Sequence, residues 1–182
     1  SDCVLLDNVE FPSSLQEILD YAFSNCGLVS IEVPYSIYNL GNGVFYNNQN
    51  LETIQLLANT NYINNSMFEN CSKLEEIVLS PSIEGTFSST FSGCISLKDF
   101  TPFLQIKKLG WNSFSNTGFE NVDLSNVTDF SGAQYAFRNC LSLKKVILPD
   151  NLESLTGDIF SGSIKLNDIN IPSAMTTISW RM

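Results

Sequence analysis

Histidine is absent from the 182 residues, and cations are scarce, with nine Lys and Arg against nineteen Asp and Glu for a formal charge of −10. Each shortage removes a class of function. Without histidine there is no Ser–His or Cys–His pair for nucleophilic catalysis. A zinc site loses its nitrogen ligand, and the five cysteines show no Cys-x-x-Cys spacing to replace it. The acidic balance repels phosphate backbones and anionic lipid surfaces, which argues against nucleic acid as a partner. No stretch approaches the roughly 18 consecutive apolar residues of a membrane span, and no basic segment followed by an apolar run opens the chain. Charged residues are also few, 15% against 43% hydrophobic, which is too apolar for a disordered chain. Residues 1–182 are expected to bury one core as a single domain.

What the sequence has is a beat. Phenylalanine returns at Phe23, Phe45, Phe68, Phe91, Phe114, Phe137 and Phe160, with one gap of 22 residues and 23 thereafter, the period of a solenoid. Aligning the repeats on Phe gives columns that must point the same way in every turn. Three residues on stand Cys26, Asn48, Cys71, Cys94, Thr117, Cys140 and Ser163, with Cys3 in an earlier half-repeat. Next come Leu6, Leu28, Leu51, Leu74, Leu97, Phe119, Leu143 and Leu166. Val9, Ile31, Ile54, Ile77, Phe100, Val122, Val146 and Ile169 follow, and two residues further lie Phe11, Val33, Leu56, Leu79, Pro102, Leu124, Leu148 and Ile171. This last pair of columns, spaced by two and rich in β-branched residues, predicts one short parallel strand per repeat. Pro12, Pro34, Pro81, Pro149 and Pro172 close it, because proline cannot extend a ladder.

A second apolar group follows at spacings of three and four, as in Ile37, Leu40 and Val44, or Leu152, Leu155 and Ile159. These segments are too short and too rich in Gly, Asn and Ser for stable helix, so brief extended or 3-10 pieces are expected. Residues 12–23 are the best helix candidate, with Ser13 or Ser14 as cap. Pro102, in a strand column and followed by Phe103, predicts a kinked fourth repeat. Gly27 and Gly118 mark two repeats shortened by one residue.

The phrase Phe-x-x-Cys-x-x-Leu-x-x-Ile-x-Leu-Pro resembles the BspA-like, or treponemal-type, leucine-rich repeat family, and eight successive copies carry the likeness from Cys3 to the end. The resemblance implies a mainly β leucine-rich-repeat solenoid. Its form would be a right-handed superhelix with a concave parallel sheet of about eight short strands and an irregular, extended or 3-10 convex side. It also implies a surface-exposed or secreted protein, of a bacterium or a parasitic protist, that adheres to host or matrix proteins. The family's repeat has neither catalytic residues nor a cofactor. The rival expectation is a spacer that holds another domain away from the cell.

Function would then lie on the outward strand positions. One column reads Asn8, Ser30, Thr53, Glu76, Asp99, Asn121, Lys145, Asp168; its neighbour reads Glu10, Glu32, Gln55, Val78, Thr101, Asp123, Ile147, Asn170. Six carboxylates, one lysine and two apolar spots make either a shallow acidic face for a basic or polar protein, or an ordinary solvated sheet. Reversing Asp99 and Asp123 to lysine is expected to alter binding and spare the fold. Calcium is the weaker use of these carboxylates, because no loop has the clustered Asp pattern of a dedicated site. Glycoside hydrolysis is weaker still, on a flat repeated face.

The cysteines stack one repeat apart and are expected as buried thiols, since side chains pointing the same way seldom cross-link. The phenylalanines are expected to form a structural spine rather than a ligand cleft. Sequons at Asn64, Asn70 and Asn126 matter only in a eukaryotic secretory route, and Lys107-Lys108 and Lys144-Lys145 read as solvated turns. The chain lacks an initial Met and a polar cap at either end. Ile178 and Met182 fall in the columns of Leu155 and Ile159, so flanking sequence is expected in the natural gene.

Overall fold

A computed structural model describes residues 2–179. Met182, expected in the column of Ile159, lies outside the described residues. In chain order the strands are β1 (Glu17–Ile18), β2 (Ser30–Val33), β3 (Asn39–Leu40), β4 (Thr53–Leu56), β5 (Tyr62–Ile63) and β6 (Glu76–Leu79). Then follow β7 (Gly85–Thr86), a 3-10 turn (Thr101–Phe103), β8 (Asn121–Asp123), β9 (Lys145–Ile147), β10 (Ser154–Thr156), β11 (Asp168–Ile169) and β12 (Thr177–Ser179). The chain winds as a β-solenoid, each coil closing on the next through parallel pairs.

The alternating columns form the longer strands, as their spacing requires. In β2, β4 and β6 the inner residues register as Ile31, Ile54, Ile77 and Val33, Leu56, Leu79. A second ladder joins β8, β9 and β11, with Val122, Val146 and Ile169 in line. The sheet is thus two three-stranded ladders. Pro102 separates them: it sits in the first turn of the 3-10 segment, where its missing N–H costs nothing, and Phe103 turns inward, fully buried. Residues 8–11 lie alongside β2 without forming a strand.

The second apolar group makes a strip of two- and three-residue strands, β1 with β3, β5 with β7 and β10 with β12. Residues 12–23 therefore do not form the expected helix. A turn from Pro12 to Leu15 leads into β1, whose Glu17 and Ile18 pair with Asn39 and Leu40. Bonds to the next coil outcompete a helix too short to satisfy its own ends.

The phenylalanines stack as the spine, with centroids 5.2 Å apart from Phe68 to Phe91 and 5.4 Å from Phe91 to Phe114, and planes within 16° and 5° of parallel. Beside them runs an arrangement that the columns above omit. Two residues before and two after each spine Phe the backbone has positive φ, as at Ser66 and Asn70 around Phe68, or Asn112 and Asn116 around Phe114. This alternation turns every second N–H to the same side. The N–H groups of Ser66, Phe68 and Asn70 accordingly donate to the carbonyls of Ser88, Thr90 and Ser92 on the next coil.

The cysteine column hydrogen-bonds as well as packs. Cys71, Cys94 and Cys140 thiols donate to the carbonyls of Phe45, Phe68 and Phe114 at 3.1–3.3 Å, and Ser163 does the same to Phe137 at 2.8 Å. Cys26, Cys71, Cys94 and Cys140 are buried thiols outside any disulfide, while Cys3 is exposed. Burial pushes the Cys71 thiol up to about 12, a backbone bond from Asn48 offsetting part of the rise. At the shortened repeats, a Cβ on Gly27 or Gly118 would stand 2.3 Å from the carbonyl oxygen of Val4 or Ile95, so no larger residue fits.

The long-strand face as candidate binding site

The outward residues of the long strands, the concave face of the repeat, line three shallow hollows. The first, about 500 Å³, holds Glu10, Glu32, Thr53 and Gln55. The second, about 470 Å³, holds Glu75, Glu76, Val78 and Asp99. A third of about 370 Å³ lies between Asp99, Thr101, Asn121, Asp123, Lys145 and Ile147.

The structure divides these residues by task. Asp99 accepts a hydrogen bond from the Thr101 N–H at 2.9 Å, and Asp123 accepts one from Ser125 N–H at 2.9 Å. Both carboxylates hold turns, so reversing their charge would not leave the fold untouched. Asn170 bridges the backbone of Leu148, accepting from its N–H at 2.6 Å and donating to its carbonyl at 3.0 Å, and so continues the ladder beyond β11. Lys145 pairs with Asp168 at 3.0 Å. The side chains of Glu10, Glu32, Gln55 and Glu76 are exposed and make no hydrogen bond or ion pair among the described residues. Thr53 is half-buried between them, and Val78, 52% exposed, is the apolar spot beside Glu76. Within this ladder Glu32 faces Gln55 and Glu76 faces Thr53, so no two carboxylates oppose each other directly.

Charge is segregated along the solenoid. The first 72 residues contain eight carboxylates and no Lys or Arg, and the first cation, Lys73, bonds Asn50 at 3.2 Å. In the later coils cations meet carboxylates across coils: Lys107 with Glu84, Lys108 with Asp129 and Lys144 with Glu120. Lysine pairs expected as solvated turns thus serve as cross-coil links. Hydrogen bonds from Ser131, followed by Lys108, hold the Asp129 carboxyl down at about 2. Lys144 likewise lowers Glu120. The charge asymmetry was open to sequence reading by summing charge in windows rather than over the whole chain. The positive-φ column was signalled by Asn or Gly two residues after each spine Phe: Asn25, Asn47, Asn70, Gly93, Asn116, Asn139, Gly162.

Among the described residues no group of three His, Cys, Asp or Glu side chains could hold a metal ion, and no helix is long and apolar enough to cross a membrane.

Comparison with known proteins agrees with this architecture. A leucine-rich repeat protein from Bacteroides ovatus is 28% identical, with TM-score 0.62 over 98% of this chain and 40% of its own length. The T. pallidum leucine-rich repeat protein is 24% identical with TM-score 0.77, covering 90% of this chain and 77% of that one. One from Eubacterium ventriosum is 21% identical at TM-score 0.54, over 93% and 55%. The last two likenesses are of fold, and the chain spans two-fifths of the Bacteroides protein. No curated protein matches. The model of the BspA type leucine-rich repeat region matches residues 1–119 and 86–182 in six copies, and the chain belongs to that family.

Proposed function

We propose that the chain is a protein-binding module, without catalytic activity, of a cell-surface or secreted protein, and that it takes a basic partner segment on the concave face of β2, β4 and β6. The observation that carries this reading is the hollow beside Glu10 and Glu32, in the part of the chain that has carboxylates and no cation. Unpaired carboxylates on a concave wall steer and hold positive charge, while Gln55, Thr53 and Val78 supply hydrogen bonds and a small apolar contact. The surface assignment follows what the family resemblance implies.

The test is surface plasmon resonance of the chain against extracellular-matrix proteins and a Lys/Arg-rich peptide, with Glu32→Lys/Glu76→Lys as the variant. Both side chains are exposed, so the fold should survive within about 0.5 kcal/mol per site. Binding should weaken about tenfold or more and fall with added salt. Unchanged affinity would remove this face from the function. Tolerance of both the charge reversal and deletion of one 23-residue repeat, in the full-length protein, would favour the spacer.

A further inference from the structure

The strip of short strands carries a hollow of different character, about 330 Å³, at the start of β3 and β5. An aromatic pair lines it. The Tyr62 ring lies across Gly85, where a Cβ would stand 2.9 Å from two ring carbons, so glycine leaves the ring its seat. Tyr62 also meets Phe87, centroids 5.2 Å apart and planes tilted 32°, and each residue is 39% exposed. Tyr38, 53% exposed, lines the same hollow.

The polar groups around this aromatic pair are amides and hydroxyls. Asn64 donates to the Leu40 carbonyl, and Thr60 donates to the Tyr62 carbonyl at 3.1 Å. The side chains of Asn59 and Asn61 are exposed and make no hydrogen bond among the described residues, so each keeps both donor and acceptor for a ligand. None of the lining residues is charged, whereas all three hollows of the concave face hold carboxylates. Lys108, which pairs in register with Gly85, is neutralised by Asp129 at 3.0 Å.

A site of this kind suits a ligand with a flat C–H face, a rim of hydroxyls and no charge. We propose that the hollow is a carbohydrate site for a neutral oligosaccharide. One pyranose ring lays its C–H face, slightly positive, on the exposed side of the Tyr62–Phe87 pair. Asn59 and Asn61 hydrogen-bond the hydroxyls. A proline-rich peptide fits less well, because it docks in a groove between separate standing aromatic walls, and here Tyr62 and Phe87 pack against each other as one offset pair. The site lies on a different strip from the protein-binding face and does not depend on it.

The probes are cellotetraose, maltotetraose and mannotetraose, with a hyaluronan tetrasaccharide and decaproline alongside, followed by NMR saturation transfer and chemical-shift titration. At least one neutral tetrasaccharide should bind with a Kd of about 1 mM, in keeping with a shallow open site. Its saturation should come from tyrosine ring protons. Tyr62→Ala should weaken it more than about tenfold, Tyr62→Phe less than about threefold, and Glu32→Lys not at all. Asn61→Asp should weaken binding without altering the melting temperature, and hyaluronan should stay unbound. The proposal is overturned if no neutral probe binds at about 10 mM, if Tyr62→Ala binds as well as the parent chain, or if decaproline binds here in place of the sugars.

Discussion

Replacing Phe91 by alanine removes a ring that is fully buried and meets three others: Phe68 and Phe114 stacked at 5.2 and 5.4 Å, and Phe103 edge-on at 5.1 Å. Truncating a buried Phe costs about 3–5 kcal/mol through lost transfer free energy and the cavity left behind. Three aromatic partners place this site at the upper end, about 5 kcal/mol. Phe23 is half-buried, with Phe45 at 6.1 Å and Phe11 edge-on at 5.5 Å, and the same change there should cost about 2 kcal/mol. In a solenoid a central loss also weakens the interfaces on both sides, while one near an end weakens mainly one. Urea denaturation followed by circular dichroism reads the difference. With a slope of about 2–3 kcal/mol per M for a chain of this size, Phe91→Ala should move the midpoint down by about 2 M and Phe23→Ala by less than about 1 M. Equal shifts, or a Phe91→Ala cost below about 2 kcal/mol, would refute the ring column as the spine.

Further outcomes follow from single residues. Cys94→Ser keeps the donor to the Phe68 carbonyl and should cost under about 1 kcal/mol, whereas Cys94→Val, similar in size without a donor, should cost about 1 kcal/mol more in the same assay. Asn116 has φ of 55°, so Asn116→Gly should be nearly neutral and Asn116→Ala should lower stability by about 1 kcal/mol. Ellman's reagent should label one thiol quickly in the native chain, the exposed Cys3, and all five in denaturant; prompt labelling of Cys71, whose pKa stands at about 12, would contradict the packing. The folded Asp129 carboxyl, at about 2, lies below its ordinary 3.8, so its contribution is complete above about pH 4 and lost as pH falls toward 2. The side chain is 38% exposed, which discounts the effect to under about 1 kcal/mol, and Asp129→Asn should flatten acid melting curves across that window.

Periodicity made the buried side of the molecule readable. A residue recurring every 23 positions must meet its own copy, so Phe68, Ile54 and Leu74 could be placed inward from spacing alone. Pro102 likewise announced the break between the ladders. Residues 12–23 misled because a three-and-four spacing serves equally for a helix and for two inward side chains on a bent extended coil; bonding to the neighbouring coil decided between them. The outward positions were legible as positions and not as roles. Asp99, Asp123 and Asn170 stand in the same columns as Glu32 and Glu76, yet they hold the backbone while the glutamates do not, a difference set by turns one or two residues away. The aromatic hollow was missed for another reason: Tyr62 and Gly85 share a column one repeat apart, with Phe87 two residues beyond, but the outward residues of these short strands change from coil to coil and leave no recurring pattern to read.

The phenylalanine flank gives the solenoid a direction. Parallel strands send alternate N–H groups to either neighbour, but around each spine Phe from Phe23 to Phe137 the three alternate N–H groups all donate toward the following coil, and the carbonyls that receive them point back. Peptide dipoles along this side therefore add rather than cancel, as they do in a helix, with the N–H pole facing the C-terminal end. Such an edge is complementary only to its opposite. Two arrays meeting through like edges would set carbonyl against carbonyl or N–H against N–H, which disfavours a two-fold pairing through the flank. Coils can join it only in head-to-tail order.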